Sequence, residues 1–126
     1  MNDNRFYICT HCGNLVGMID DKGVPLVCCG EKMKRLEPGT VEASTEKHIP
    51  VVTVEGDVVK VCVGSVKHPM SEEHHIAWVY LATENGGQRK NIDHNDEPEV
   101  TFALCGDKPT AVYAYCNLHG LWKADI

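Results

Sequence analysis

Residues 114 to 122 read A-Y-C-N-L-H-G-L-W, which sets a thiol, Cys116, three positions before an imidazole, His119. Sulfur and nitrogen at that interval can turn onto one metal ion, but they make only half a site. Three more histidines could complete it: His48 in E-K-H-I-P, and His68 and His74 in H-P-M-S-E-E-H. His68 and His74 stand six apart, the wrong interval for one helix face. Pro69 biases His68 toward extended backbone. Both read as loop ligands on a β scaffold, where binding residues often sit. Taken singly, each histidine is an ordinary loop residue, and the metal reading rests on their number and on the C-x-x-H spacing.

A second set lies near the start. Cys9-Thr10-His11-Cys12 is a C-x-x-C knuckle, with Gly13 behind it to take the positive φ such a turn needs. Fifteen residues separate Cys12 from the vicinal pair Cys28-Cys29. Four thiolates suit tetrahedral zinc or iron. Neighbouring side chains on an extended chain point apart, so the backbone must bend for both Cys28 and Cys29 to reach one ion. His11 reads as solvent-facing.

The elements that must carry these groups are strands. Ile49 to Glu55 and Val58 to Val63 are valine-rich and split by Glu55-Gly56-Asp57. Ile76 to Thr83 alternates, with Ile76, Trp78 and Tyr80 expected on one face and Ala77, Val79 and Leu81 on the other. Gly86-Gly87 reads as a turn. Val100 to Cys105 and Thr110 to Tyr115 continue the two-residue period, and no segment shows a helical stripe. Short strands at regular spacing predict an antiparallel sandwich or barrel. Glu37-Pro38-Gly39 reads as a junction. Residues 1–36 are then a miniature domain, too small to hold itself together without a metal staple. Residues 37–126 form the main domain.

The chain has 126 residues and a formal charge of −6, which argues against nucleic acid and against an anionic membrane surface. The start, M-N-D-N-R-F-Y-I-C, lacks an apolar signal core, and no apolar run approaches the roughly 18 residues that span a bilayer. A cytoplasmic location is expected. Seven cysteines, four of them clustered, then favour metal over disulfides. Cys62 and Cys105 read as unligated thiols acting as small hydrophobes. Asp93 to Glu99, with His94 inside it, reads as a solvated loop.

Together these blocks resemble desulfoferrodoxin: C-x-x-C with Cys28-Cys29, then Glu46-Lys47-His48-x-Pro50, then His68-Pro69-Met70-x-x-x-His74, then Cys116-Asn117-x-His119-Gly120-x-Trp122-Lys123. These are the two-iron superoxide reductases of anaerobic and microaerophilic microbes. The resemblance covers essentially the whole chain. It implies a desulforedoxin-like module with iron on Cys9, Cys12, Cys28 and Cys29, acting as an electron relay. It implies an immunoglobulin-like β-sandwich whose second iron has His48, His68, His74 and His119 as equatorial ligands and Cys116 as the axial one. The implied reaction takes superoxide, one electron and two protons to hydrogen peroxide. Lys47 would attract the anion and stabilise the developing peroxide, and Glu46 would occupy the sixth position after oxidation and assist product release. A homodimer and a rubredoxin-like donor are implied as well. A pure electron carrier and a zinc-stapled interaction module are the rival readings; metal analysis with visible spectra separates the module from the other two, and rapid mixing of reduced protein with superoxide separates enzyme from carrier.

Overall fold

The computed structural model describes residues 5–126, with side chains from Phe6 onward. The polar start of the chain, Met1 to Asn4, lies outside the described residues. The chain divides into two compact units, one ending at Glu37 and one beginning at Pro38.

The first unit is made of short strands: β1 (Arg5–Ile8), β2 (Leu15–Met18), β3 (Val27–Cys28), β4 (Glu31–Lys32) and β5 (Lys34–Arg35). They form one three-stranded sheet in the order β2-β1-β5 and a two-stranded ribbon of β3 and β4. Among its described residues, only Phe6 and Cys9 are buried apolar side chains.

The second unit holds one helical turn, α1 (Thr45–His48), and seven strands: β6 (Pro50–Glu55), β7 (Val58–Val63), β8 (Ile76–Thr83), β9 (Gly86–Asn91), β10 (Glu99–Ala103), β11 (Pro109–Cys116) and β12 (Gly120–Asp125). The strands form two antiparallel sheets, β10-β7-β6 and β12-β11-β8-β9. Between them lies one core, with Val59, Val61, Val63 and Phe102 from the first sheet and Val79, Leu81, Val112 and Ala114 from the second. The predicted β-rich fold is therefore observed, as a sandwich.

Three local readings are corrected. Gly86-Gly87 is not the turn: Glu84 and Asn85 are, and the glycines open β9. Gly87 is there because the Tyr80 ring lies across it; a Cβ would collide with the Tyr80 hydroxyl and sit 2.7 Å from the Leu81 carbonyl oxygen. The face assignment of β8 fails at its first residue. Tyr115 pairs with Trp78, yet Cys116 pairs with Ile76, so Ala77 is a bulge. A bulge reverses side-chain parity. Ile76 therefore joins Val79 and Leu81 in the core, while Trp78 stacks on Tyr115 with centroids 5.5 Å apart. Finally, β10 stops at Ala103, and Cys105 is an exposed turn residue at φ 51°. Its N–H and that of Gly106 donate to the Asp57 carboxylate at 3.0 and 2.9 Å, so Cys105 serves a turn rather than the core.

Candidate metal centres

In the first unit the sulfurs of Cys9, Cys12, Cys28 and Cys29 all lie within 4.8 Å of one another. Cys29 sits at φ 53°, in the left-handed region, and this is the bend that turns two adjacent side chains onto one point. The Cys12 and Cys28 sulfurs are 3.7 Å apart. That is far beyond a disulfide bond, and it matches the roughly 3.8 Å edge of a tetrahedron of sulfurs about 2.3 Å from one ion. Backbone N–H groups reach the sulfurs too, from Cys12 onto Cys9 at 3.5 Å and from Asn14 onto Cys12 at 3.4 Å. The N–H of Cys12, chiefly, draws the Cys9 thiol down to about 6, whereas hydrogen bonding to the Cys12 sulfur pushes Cys29 up to about 12. Four such thiols do not ionise together unless a cation shares the charge. His11 is exposed and pairs with Glu31 at 3.0 Å, outside the sulfur set.

In the second unit each ligand candidate is delivered by a different local device. Pro50 ends α1 after one turn, with Ile49 extended before it. In that turn the Ser44 carbonyl accepts the His48 Nδ1–H at 2.7 Å. His68 hangs from the β7–β8 connection, its N–H on the Val63 carbonyl at 2.9 Å and its Nδ1–H on the Pro69 carbonyl at 2.7 Å. Cys116 ends β11 in the register set by the Ala77 bulge, fully buried and part of the apolar core. His119 lies in the turn between β11 and β12. Trp122 donates its indole N–H to the His119 carbonyl at 3.0 Å and packs its ring 4.9 Å from that of His48.

The four rings close a circle. Successive centroids, His48–His68, His68–His74, His74–His119 and His119–His48, are 4.6, 4.6, 5.0 and 5.0 Å apart, with interplanar angles of 77°, 82°, 79° and 85°. Across the circle His48 and His74 are 6.4 Å apart. Ligand atoms of His48, His68, His74 and Cys116 lie within 4.8 Å of one another, and His119 Nδ1 stands 3.2 Å from His48 Nε2 and 3.8 Å from the Cys116 sulfur. His75 turns away, donating Nδ1–H to the Ser71 carbonyl at 2.9 Å.

The nitrogens show what belongs at the centre. A carbonyl only accepts, so His48 and His68 each carry the proton on Nδ1, and their Nε2 lone pairs face each other at 3.1 Å. Two acceptors at that distance need a cation, and nitrogens about 2.1 Å from one ion at right angles lie roughly 3 Å apart. His74 Nε2 is buried without a hydrogen-bond partner. Burial lowers the affinity of His48, His68 and His74 for protons, His68 down to about 4, which keeps the imidazoles neutral as ligands. Burial also pushes the Cys116 thiol up, so a cation is needed to make it a thiolate. The donor sets fit two metal ions.

The family model described as desulfoferrodoxin matches residues 40–125, and that of the desulfoferrodoxin N-terminal domain matches residues 1–36. The chain belongs to the desulfoferrodoxin family. The desulfoferrodoxin of Nitratidesulfovibrio vulgaris is 44% identical, over 98% of both chains. Among solved structures, the superoxide reductase from Treponema pallidum is similar at 45% identity and a TM-score of 0.83, over 98% of this chain and 100% of that one. The one-iron superoxide reductase from Giardia intestinalis is 32% identical with a TM-score of 0.56, over 64% of this chain and 97% of that one.

For a desulfoferrodoxin, iron is the metal that both donor sets are expected to hold. The thiol of Cys116 arrives from the core side of the imidazole circle, while Glu46 and Lys47 are exposed on α1. Burial chiefly, and the Lys47 charge least, disfavour the protonated forms of His48 and His74. Sequence reasoning assigned no role to Asn117, Trp122 or the carbonyls of Ser44 and Pro69. Asn117, Trp122 and Pro69 stood inside recognised motifs, but a backbone carbonyl carries no side-chain signal at all.

Two expected results arise here. Gly64 is buried against α1; a Cβ on it would run into the Glu46 carbonyl oxygen and lie 2.9 Å from the Lys47 carbonyl carbon and 3.0 Å from the Ile49 oxygen. Gly64→Ala should cost about 1–3 kcal/mol in denaturant unfolding and lower iron retention by the His/Cys site, because the obstacle is backbone. Equal stability and loading would show that α1 yields freely. The second result concerns pH. His68 binds its proton near 6.5 when unfolded and near 4 when folded, so in metal-free protein the unfolded state holds more protons between those values. Stability should therefore fall as pH drops from about 6.5 to about 4, by on the order of 3 kcal/mol, and level off below. Metal-free His68→Asn should show a smaller fall across the same window in thermal melts; identical slopes would refute the assignment.

Proposed function

We propose that the protein is a superoxide reductase whose reaction takes place at the His48, His68, His74, His119 and Cys116 site. One observation carries this: four imidazoles in a circle with a single buried thiol beside them, five donors where an octahedral ion takes six. A ferrous ion held by these residues would supply one electron to a small oxygen species. The chain's own groups do the rest. The Cys116 sulfur, anionic once a cation is present, would hold the ion from the buried side and favour loss of an electron. Neutral imidazoles leave the site net positive. Lys47 Nζ draws the superoxide anion against the overall charge of −6 and stabilises the developing peroxide as two protons arrive. Glu46, exposed beside Lys47, is assigned to product release. The four-cysteine site relays electrons.

The strand order β10-β7-β6 over β12-β11-β8-β9 supports an immunoglobulin-like reading of the sandwich. A rubredoxin-like donor, a homodimer and a cytoplasmic location belong to the same proposal, and donor-coupled turnover and sedimentation test the first two.

The deciding experiment counts metal and follows colour. Protein from iron-replete cells should hold two irons, and the reduced form mixed rapidly with superoxide should consume it while the second iron oxidises. Colourless zinc protein, or no consumption, would end the proposal. Lys47→Ala should slow the encounter about tenfold at low salt, and the difference should shrink as salt rises. A salt-independent loss would mean that Lys47 acts after the encounter rather than by steering.

A further inference from the structure

We infer that Asn117 is the positioning residue for His74, a role that rests on the metal site proposed above. His48 and His68 are each aimed by an Nδ1–H bond to a carbonyl, from Ser44 and Pro69. Among the described residues no carbonyl does this for the His74 ring, whose Nε2 is buried and unpartnered. His74 must be aimed through its backbone. Its loop closes on itself: the Ser71 N–H and hydroxyl donate to the His74 carbonyl at 2.9 and 3.2 Å, and the His74 N–H donates to the Ser71 hydroxyl at 3.1 Å. Those bonds shape the loop without anchoring it to the other ligands.

Asn117 supplies the anchor. Its Nδ2 donates to the Glu73 carbonyl at 2.9 Å, and its Oδ1 accepts the His75 N–H at 2.9 Å. Its backbone N–H donates to the His75 carbonyl at 3.1 Å. One residue therefore grips both flanks of His74 while sitting between Cys116 and His119. The clamp needs one donor and one acceptor on a short side chain, which is what asparagine offers. Aspartate keeps the acceptor but sets an anionic oxygen against the Glu73 carbonyl. Alanine loses both side-chain bonds and keeps the backbone one.

The test is a double-mutant cycle on the full chain, with ferrous iron competed anaerobically against a chelator. Asn117→Ala should weaken iron at the His/Cys site by about 10- to 100-fold, as loss of an orienting partner does elsewhere, and leave the four-cysteine iron unchanged. Asn117→Asp should fall between it and wild type. In a His74→Ala background Asn117→Ala should add nothing. Additive losses would show that Asn117 acts through the Cys116–His119 turn instead, and unchanged affinity would remove the role altogether. If the wild type binds no iron at this site and His74→Ala changes nothing, the functional reading fails first. A second measurement needs no metal. In metal-free protein the His75 amide should exchange faster in Asn117→Ala, with the β8 and β11 amides still protected; unchanged His75 exchange would overturn the clamp.

Discussion

Stripping metal from the reduced protein should unfold the first unit completely and leave the sandwich folded. Among its described residues that unit buries only Phe6 and Cys9 as apolar side chains. Its strands are two to four residues long, and its end is tied back to β1 only by the two-residue pairing of β5 and a bond from the Leu36 N–H to the Phe6 carbonyl. So few buried groups cannot offset the entropy of ordering more than thirty residues. In such modules the metal supplies the difference, about 10–16 kcal/mol for zinc in small fingers. The second unit has a core of its own, so losing its ion should loosen the ligand loops without dissolving the sheets. An amide correlation spectrum of chelated, reduced protein reads both outcomes at once. Signals up to Glu37 should collapse to the narrow dispersion of an unfolded chain, while those beyond Pro38 stay dispersed. A first unit that keeps its dispersion without metal would mean that its stability has another source.

Cys116→Ser should lower superoxide consumption by on the order of 100-fold or more, given that merely losing a partner of a ligand costs 10- to 100-fold. Serine matches the size of cysteine, so the fold should survive, with about 1–3 kcal/mol lost for a hydroxyl placed among Val112, Ala114 and Ile76. What disappears is the anion on the core side of the imidazole circle. The sulfur can ionise with help from the His119 N–H at 3.4 Å and from the cation, whereas a serine hydroxyl holds its proton. The visible band of the second centre should vanish with the rate, and the band of the four-cysteine centre should remain. Rapid mixing with superoxide and a spectrum of each variant check both halves. A rate equal to wild type would show that Cys116 does not hold the reacting ion.

Much of this was legible from residue types. Thiols and imidazoles have few uses in such numbers, so the two donor sets, the metal chemistry and the two-part organisation followed from Cys9, Cys12, Cys28, Cys29 and the C-x-x-H turn. Valine-rich runs were enough for the strands β6 and β7, and alternation for β8 past its first residue. Strand ends were less clear. Gly86-Gly87 looked like a turn because glycine is punctuation when read locally, and only the Tyr80 ring across the hairpin shows why glycine opens β9. The strand Gly120–Asp125 was hidden inside a motif read for its ligands.

Donor identity is a property of single residues, and the sequence by itself determined which groups could bind metal and of what kind. Donor direction is a property of the backbone between strands far apart in the chain, and that only the tertiary structure decided. The left-handed Cys29 turns two adjacent thiols onto one point. The bulge at Ala77 sets the register that sends Cys116 into the core. The carbonyls of Ser44 and Pro69 choose which nitrogen of His48 and His68 faces the centre, and Asn117 holds the loop that presents His74. The adjacent thiols announced a bend at Cys28-Cys29 but not its form, and the others leave no mark in composition or period, because each depends on a hydrogen bond or a pairing made only when the chain has folded.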